Sequence, residues 1–359
     1  MLLKSHIGAL RLPHTVIPLN GRICAMWELG RKLGLFGLIC CCLLLLPTLV
    51  SPLAAEEAPL RLGLVKFGSG AWVIDVVRRE EQDKLAGLVL QTVDLANPAA
   101  GEVALQAGGV DVILSDFLWV ARQRAAGQPL VFIPRSSALG EVLVPAGSSI
   151  HSLADLEGKK LGIAGGPLDK SWLLLRAYSR NLLGHDIAGR VSPMFGAPPL
   201  LSQELAQGRL DAVLTFWPFA ARLAVQGQRS LLSMADVMRG LGFDAPVPLM
   251  GFAVNEVWAK AHPQALVKFL AATSAADQQL ARSDEEWRLL RPLTAAEDDA
   301  TLVALRDRYR AGIGDGSDAG AEAQAARLYR ILAEIGGAEL TGGAPTLPGG
   351  TFWAGAGSP

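Results

Sequence analysis

Two stretches of the chain, 100 residues apart, repeat one pattern. Residues 104–115 and 204–215 share Leu, Gly, Asp and Leu at identical spacing, and several positions between them are conservative exchanges. Each copy is typical of a helix that ends at Gly, a turn that carries Asp, and a short buried parallel strand. A unit that occurs twice at domain-sized spacing predicts two similarly built α/β lobes rather than a solenoid. Two such lobes leave a cleft between them, and clefts of this kind bind ligands.

The N-terminal region has the parts of a secretory signal peptide. Residues 33–50 carry no charge, follow the basic pair Arg31 and Lys32, and run into small residues that end at Ala55. We therefore expect residues 1–55 to be removed on export, with Met26 as an alternative true start. An uncleaved membrane anchor is the rival interpretation, since 18 apolar residues reach the lower limit for spanning.

The predicted mature chain is mildly acidic and has no thiol. Residues 1–55 hold all four cysteines, five Lys or Arg and one acid, which leaves 28 basic against 33 acidic residues and a net charge of −5. Without a basic stripe, nucleic acid is not an expected partner. Without cysteine there is no disulfide framework and no thiolate metal site, and the three remaining histidines lack metal-binding spacing. We expect no metal and no cofactor.

Four blocks of sequence resemble the periplasmic substrate-binding proteins of ABC importers, in the branch that serves nitrate, sulfonates, taurine and thiamine precursors. The first and third are the two Leu-x-x-Gly-x-x-Asp units of the repeat. The second is the Ser-Leu-x-Asp-Leu-x-Gly-Lys-Lys run within residues 150–162, and the fourth is Val-Asn-x-x-Trp-x-x-x-His-Pro at residues 254–263. The order of all four blocks is more specific than any one of them.

The resemblance implies an α/β, type II-like periplasmic-binding-protein fold, in which mostly parallel sheets flanked by helices are joined by two crossing strands that act as a hinge. Residues 139–144 and 249–254 are the expected crossings. The expected boundaries follow from this and the signal peptide: residues 1–55 signal peptide, 56–147 first part of lobe 1, 148–245 lobe 2, 246–335 completion of lobe 1 with C-terminal helices, and 336–359 a flexible tail.

Candidate ligand-binding residues follow four predicted strands, because ligands of open α/β sheets lie beyond the carboxyl ends of the strands. Trp119 and Trp172 lie a full turn into their helices, which favours packing into the core. Trp72 and Trp217 lie nearer the turns, where they could equally stack on a ligand. The predicted ligand-binding residues are Phe67, Ser69, Gly70, Trp72, Ser115, Asp116, Gly166, Asp169, Lys170, Ser171, Thr215 and Trp217.

The sequence contains features that favour an anionic ligand and others that favour a cationic one. Glycine turns at residues 68–70 and 165–166 could present backbone N–H groups to an anion at a helix N-terminus, although Gly is also the default residue of tight turns. Pro167 removes a donor from the second turn, and Asp169 adds a negative charge there. Asp116 and Asp169 would suit a donor-rich or cationic ligand edge. Alternatively, Asp116 could cap its helix and Asp169 could simply complement the helix dipole.

The resemblance and the export signal together predict a periplasmic solute-binding protein, monomeric and without catalytic residues, that delivers a small organic molecule to an ABC permease and its ATPase at the inner membrane. The alternatives are a lyase or biosynthetic enzyme on the same two-lobed fold, and a ligand-sensing periplasmic protein. An enzyme would need a general base or nucleophile in the cleft. Only Asp116 and Asp169 are candidates for that role in the sequence.

Overall fold

A computed structural model describes residues 59–65, 68–313 and 320–355. The predicted signal peptide over residues 1–55, the alternative start Met26, the four cysteines and the candidate ligand-binding residue Phe67 lie outside the described residues. The described residues belong to a single unit, Glu57–Pro359. Within it, ten strands form two five-stranded sheets.

The first sheet contains the strands β1 (Leu60–Val65), β2 (Leu90–Leu95), β3 (Val112–Asp116), β4 (Leu130–Ser136) and β10 (Met250–Asn255). The second sheet contains β5 (Glu141–Val144), β6 (Lys160–Ala164), β7 (Ser192–Gly196), β8 (Ala212–Thr215) and β9 (Arg229–Ser233). The central parallel strands β1, β3, β6 and β8 are mostly apolar and mostly buried, which is typical of parallel strands covered by helices.

The two sheets have the same topology. Their strand orders are β2-β1-β3-β10-β4 and β7-β6-β8-β5-β9, and in each the first three strands are parallel while the fourth is antiparallel to both neighbours. The fourth strand of each sheet is the first one that the chain forms after it crosses from the other sheet. The chain enters the second sheet at β5 and returns to the first sheet at β10. Because β5 belongs to the second sheet, residues 141–147 lie in lobe 2 and not in lobe 1, where the sequence placed them.

Thirteen α-helices are described, most of them on the faces of the sheets. Those between the strands are α1 (Ser69–Arg79), α2 (Gln82–Leu85), α3 (Pro98–Gln106), α4 (Phe117–Ala125), α5 (Lys170–Leu183), α6 (Pro198–Ala206), α7 (Trp217–Val225) and α8 (Met234–Gly240). After β10 come α9 (Glu256–Ala261), α10 (Pro263–Arg282), α11 (Asp284–Thr294), α12 (Asp299–Gly312) and α13 (Ala321–Thr341).

The repeated residues of the sequence tie each lobe together. Gly108 and Gly208 have φ of 71° and 67°, a conformation that glycine adopts without steric cost. Asp111 accepts hydrogen bonds from the backbone N–H of Arg61 at 2.8 Å and from its Nε at 3.0 Å. Asp211 accepts the backbone N–H of Lys160 at 2.7 Å. Asp111 thus fastens the start of β3 to β1 in lobe 1, and Asp211 fastens the start of β8 to β6 in lobe 2.

The C-terminal helices join the lobes. Helix α12 packs against α7 of lobe 2, and α13 packs against both α4 of lobe 1 and α5 of lobe 2. One hydrophobic cluster consequently runs from Phe132 in lobe 1 through Tyr329 of α13 to Leu161 in lobe 2. No helix of the described residues is both long enough and apolar enough to cross a membrane.

The expectation of a flexible tail from residue 336 is wrong for the described residues up to 355. Helix α13 continues to Thr341, and Phe352 is 8 % exposed, with its ring 5.3 Å from that of Phe132. The N–H of Phe132 donates to the carbonyl of Thr351 at 2.7 Å. The Gly and Pro residues of this segment therefore shape a turn that brings Phe352 back to the edge of the first sheet.

Candidate ligand-binding cavity

A cavity of about 400 Å³ lies between the carboxyl ends of the strands of the two sheets. Lobe 1 lines it with the segments that follow β1, β3 and β4, and lobe 2 lines it with the starts of α5 and α7. Helices α11 and α12 close one side through Thr294 and Tyr309. The volume is that of a site for a small organic molecule.

Aromatic rings from both lobes meet at this cavity. Trp72 of α1 and Trp217 of α7 are 5.7 Å apart, with their ring planes at 86°. Tyr309 of α12 lies 6.2 Å from each of them. Trp72 is only 3 % exposed and belongs to a buried cluster with Trp287 behind it. Trp217 is partly buried, so more of its ring is available to a ligand.

A charged pair spans the cleft. Asp116, at the end of β3, directs Oδ1 to the backbone N–H of Trp119 at 2.9 Å and Oδ2 toward Nζ of Lys170 at 3.6 Å. Burial alone would lower the pKa of Lys170, but the carboxylates of Asp116 and Asp169 outweigh it, and the pKa is raised. Lys170 is therefore a cation at neutral pH, held by carboxylates from both lobes.

A second charge cluster in the cavity lining comes from β4, α10 and α12. Arg135, at the end of β4, donates to Asp277 of α10, and the hydroxyl of Tyr309 donates to the same carboxylate oxygen at 2.6 Å. The pKa of Arg135 is raised, since the charge of Asp277 and the hydrogen bonds to Asp277 and to the Tyr309 hydroxyl outweigh the effect of burial. Burial raises the pKa of Tyr309, which stays protonated. The Nε of Arg135 is buried and makes no hydrogen bond with the described residues.

Four helices begin at the ends of the inner strands, and their N-termini differ. Asp116 caps α4, and Asp169 caps α5 by accepting the N–H of Ser171 at 2.9 Å. Helices α1 and α7 have no side-chain cap, and their first residues line the cavity. The anion-attracting ends of α4 and α5 are thus filled by the protein's own carboxylates, whereas those of α1 and α7 are not.

The cavity brings together most of the residues that the sequence nominated for ligand binding: Ser69, Gly70, Trp72, Ser115, Asp116, Lys170, Ser171 and Trp217. Gly166, Asp169 and Thr215 do not line it, and Thr215 is buried beneath it. Asp169 instead caps α5, a position in which its charge complements the helix dipole, as its other interpretation held. Trp119 and Trp172 are buried at 6 % and 2 % exposure and also lie outside the lining.

Sequence reasoning did not identify Glu102, Arg135, Asp277 or Tyr309. Arg135 follows a predicted strand directly, so the rule that nominated the other strand ends could have found it. Glu102 lies in α3, two residues before the repeated stretch, and does not follow a strand directly, so the same rule does not select it. Asp277 and Tyr309 belong to helices α10 and α12, whose approach to the cleft has no local signal in the sequence.

The geometry defines a two-lobed periplasmic-binding-protein fold, and comparisons with solved structures agree. The alkanesulfonate-binding protein SsuA of Xanthomonas axonopodis pv. citri, solved with MOPS, matches with a TM-score of 0.65 at 19% identity, over 84% of this chain and 99% of that one. SsuA of Escherichia coli gives 0.62 at 21% identity, over 77% and 87%. The nitrate-binding protein NrtA of Synechocystis PCC 6803 gives 0.54 at 12% identity, over 71% and 70%. These identities establish the fold.

The sequence also matches a known family. Residues 84–286, more than half of the chain, match the profile of the family described as NMT1/THI5 like, and the protein belongs to that family. A comparison with curated proteins finds no match. Among the residues that the structure describes, no group of three His, Cys, Asp or Glu is placed to hold a metal ion.

Proposed function

We propose that the protein is an exported solute-binding protein that captures a small organic molecule between its lobes and delivers it to an ABC-type permease. The observation that carries the proposal is the cavity at the strand ends, whose walls come from both lobes and from the helices that join them. Membership of the NMT1/THI5-like family and the likeness to binding proteins of sulfonates and nitrate support it.

The physical basis of capture is burial of the ligand between two surfaces. The contacts that hold the lobes together at the cavity, Trp72 with Trp217 and Asp116 with Lys170, exist only when the lobes are close. A ligand that touches both lobes stabilises this arrangement by its differential affinity for the closed form. A permease can then recognise the loaded protein by its shape.

Export and a partnership with an inner-membrane permease and its ATPase are part of the same proposal. The basic and apolar N-terminal segment supports export, and the periplasmic proteins of similar fold support the compartment. We propose that the protein acts as a monomer and without chemistry of its own. An enzyme on this fold would require a base beside the bound molecule, and it would release that molecule in a changed form.

Native mass spectrometry of the exported protein tests the proposal. We expect a retained small molecule, recovered chemically unchanged after denaturation, and release of that molecule on partial unfolding. Small-angle scattering with and without the recovered molecule should show contraction on binding. Recovery of a converted product would favour the enzyme, whereas purified protein that holds no molecule and does not contract with any periplasmic extract would count against capture.

A further inference from the structure

Glu102 is a carboxylate in the cavity that has no partner. It lies in α3, lines the cavity and is partly buried. It makes no hydrogen bond or ion pair with the described residues. Burial raises its pKa, and the nearby carboxylate of Asp116 raises it further. A carboxylate that is partly removed from water without a partner costs folding free energy, and a ligand group that donates to it would offset that cost.

The charges around Glu102 have an excess of carboxylates. Glu102 and Asp116 line the cavity together with Lys170, and Asp169 lies directly behind the lysine. Arg122 of α4 acts on Glu102 from outside the cavity lining. Three carboxylates therefore face two cations at this end, and Lys170 already attends to Asp116 and Asp169. Two further cations line the cavity, but Arg135 is paired with Asp277, and Arg222 donates to the backbone carbonyls of Thr294 and Ala295. An anionic ligand group would meet repulsion at this end, whereas a cation would be attracted.

The rest of the cavity suits an apolar body. Leu95, Ile113 and Leu114 of lobe 1 line the cavity, and so does Trp217 of lobe 2. An aromatic or aliphatic skeleton would fill this space and bury apolar surface. The Arg135 guanidinium, which also lines the cavity, is already paired with Asp277.

From this arrangement we infer, resting on the proposed function, that the protein binds a ligand with an apolar body and a cationic group, such as a protonated amine, that is received by Glu102 and Asp116. The amine would donate to the unpartnered Glu102 and to the loosely held Oδ2 of Asp116. The ligand class thereby differs from a simple sulfonate or nitrate.

Three probes of one skeleton and different charge test the inference. Phenethylamine, phenethyl alcohol and phenethylsulfonate share the apolar body and differ only in the polar end. We expect isothermal titration calorimetry and thermal shift to detect binding of the amine, with weaker binding of the alcohol and none of the sulfonate. A preference for the sulfonate or the alcohol, or binding of none of the three, would overturn the inference.

The variant Glu102→Gln tests whether the preference for the amine depends on Glu102. It should weaken phenethylamine binding by about tenfold to a hundredfold, the scale of a lost hydrogen bond to a charged group, and leave alcohol binding unchanged. The control Glu322→Gln makes the same change at an exposed site on α13 and should bind as wild type. The unliganded Glu102→Gln protein should melt no lower than wild type, because an unpartnered ionised carboxylate does not stabilise the fold. Unchanged amine binding by Glu102→Gln would overturn the inference.

The pH dependence gives an independent readout. Because the pKa of Glu102 is raised, acidification should protonate it before ordinary carboxylates and weaken amine binding, and Glu102→Gln should lose that dependence. An amine affinity that is flat with pH in wild type would contradict the role of Glu102. The mass-spectrometric recovery of a bound molecule does not depend on these probes, so failure here and failure of solute capture can be told apart.

Discussion

Asp116 and Lys170 lie on opposite lobes, and Oδ2 of Asp116 is 3.6 Å from Nζ of Lys170 across the cavity. The two side chains are 25 % and 17 % exposed, so water screens the pair only partly. Asp116 also caps α4, and Lys170 is the first residue of α5. One ion pair thereby links the helix starts of the two lobes when the cleft is closed.

Replacing Lys170 by Met should destabilise the closed protein at neutral pH. The change leaves Asp116, Asp169 and Glu102 close together without their cation, and we expect a loss of about 1–3 kcal/mol after allowance for partial exposure. The pKa values of Glu102 and Asp169 are already raised by burial and would rise further. The folded variant would then bind protons more readily than the unfolded chain, so its stability should recover as the pH falls toward those values.

Urea denaturation of wild type and Lys170→Met at neutral and mildly acidic pH measures this effect. The control Lys260→Met removes an exposed pair with Glu256 on α9 and should cost less than about 1 kcal/mol at either pH. If Lys170→Met were as stable as Lys260→Met at neutral pH, the interlobe pair would not stabilise the structure.

Trp72 and Trp217 should respond differently to truncation, although both line the cavity. Trp72 is buried among Trp287 and Tyr309, so Trp72→Ala should cost about 3–5 kcal/mol of stability. Trp217 is only partly buried, and Trp217→Ala should mainly weaken binding of the retained molecule, by about 1–3 kcal/mol. Melting curves and calorimetry separate the two effects, and equal melting temperatures of the two variants would contradict the difference in burial.

The paired aspartates of the repeat offer a comparison within one molecule. Asp111 is 3 % exposed and holds both the backbone and the side chain of Arg61, whereas Asp211 is exposed and holds one backbone N–H. Asp111→Ala should therefore destabilise by about 2–4 kcal/mol and Asp211→Ala by about 1 kcal/mol. Chemical denaturation of both variants checks this order of the two losses. If both residues served only their local turns, the two losses of unfolding free energy would be equal.

In the cluster of Arg135, Asp277 and Tyr309, loss of the negative charge should destabilise the protein more than loss of one hydrogen bond. Asp277→Asn leaves the buried Arg135 guanidinium without its counter-charge and should cost about 3–5 kcal/mol. Tyr309→Phe removes one hydroxyl donor and keeps the ring, at a cost of about 1 kcal/mol. Unfolding free energies from urea titration test this order, and a larger loss for Tyr309→Phe would show that the ion pair does not govern the cluster.

The sequence predicted the two lobes because the Gly and Asp of each repeat act locally, at a turn and a strand start. It did not predict that β5 joins the second sheet, since a short apolar run does not indicate which neighbours it pairs with. The residues that follow four of the predicted strands include many of those that line the cavity. Asp277 and Tyr309 could not be inferred, because the packing of α10 and α12 at the cleft depends on contacts between residues far apart in the chain.

The C-terminal segment offers the last prediction, because composition and structure disagree there. Its Gly and Pro content suggested a flexible tail, yet Phe352 packs between Phe117 and Phe132, with ring distances of 6.0 and 5.3 Å. Phe352→Ala should therefore lower the free energy of unfolding by about 2–4 kcal/mol, as expected for a nearly buried ring. The control Leu85→Ala, at a side chain 77 % exposed, should change it by less than about 0.5 kcal/mol. If urea unfolding gave equal free energies for both variants, the segment would contribute nothing to the fold. In that case the N–H of Phe132, which donates to Thr351, would also exchange its hydrogen rapidly in the wild-type protein.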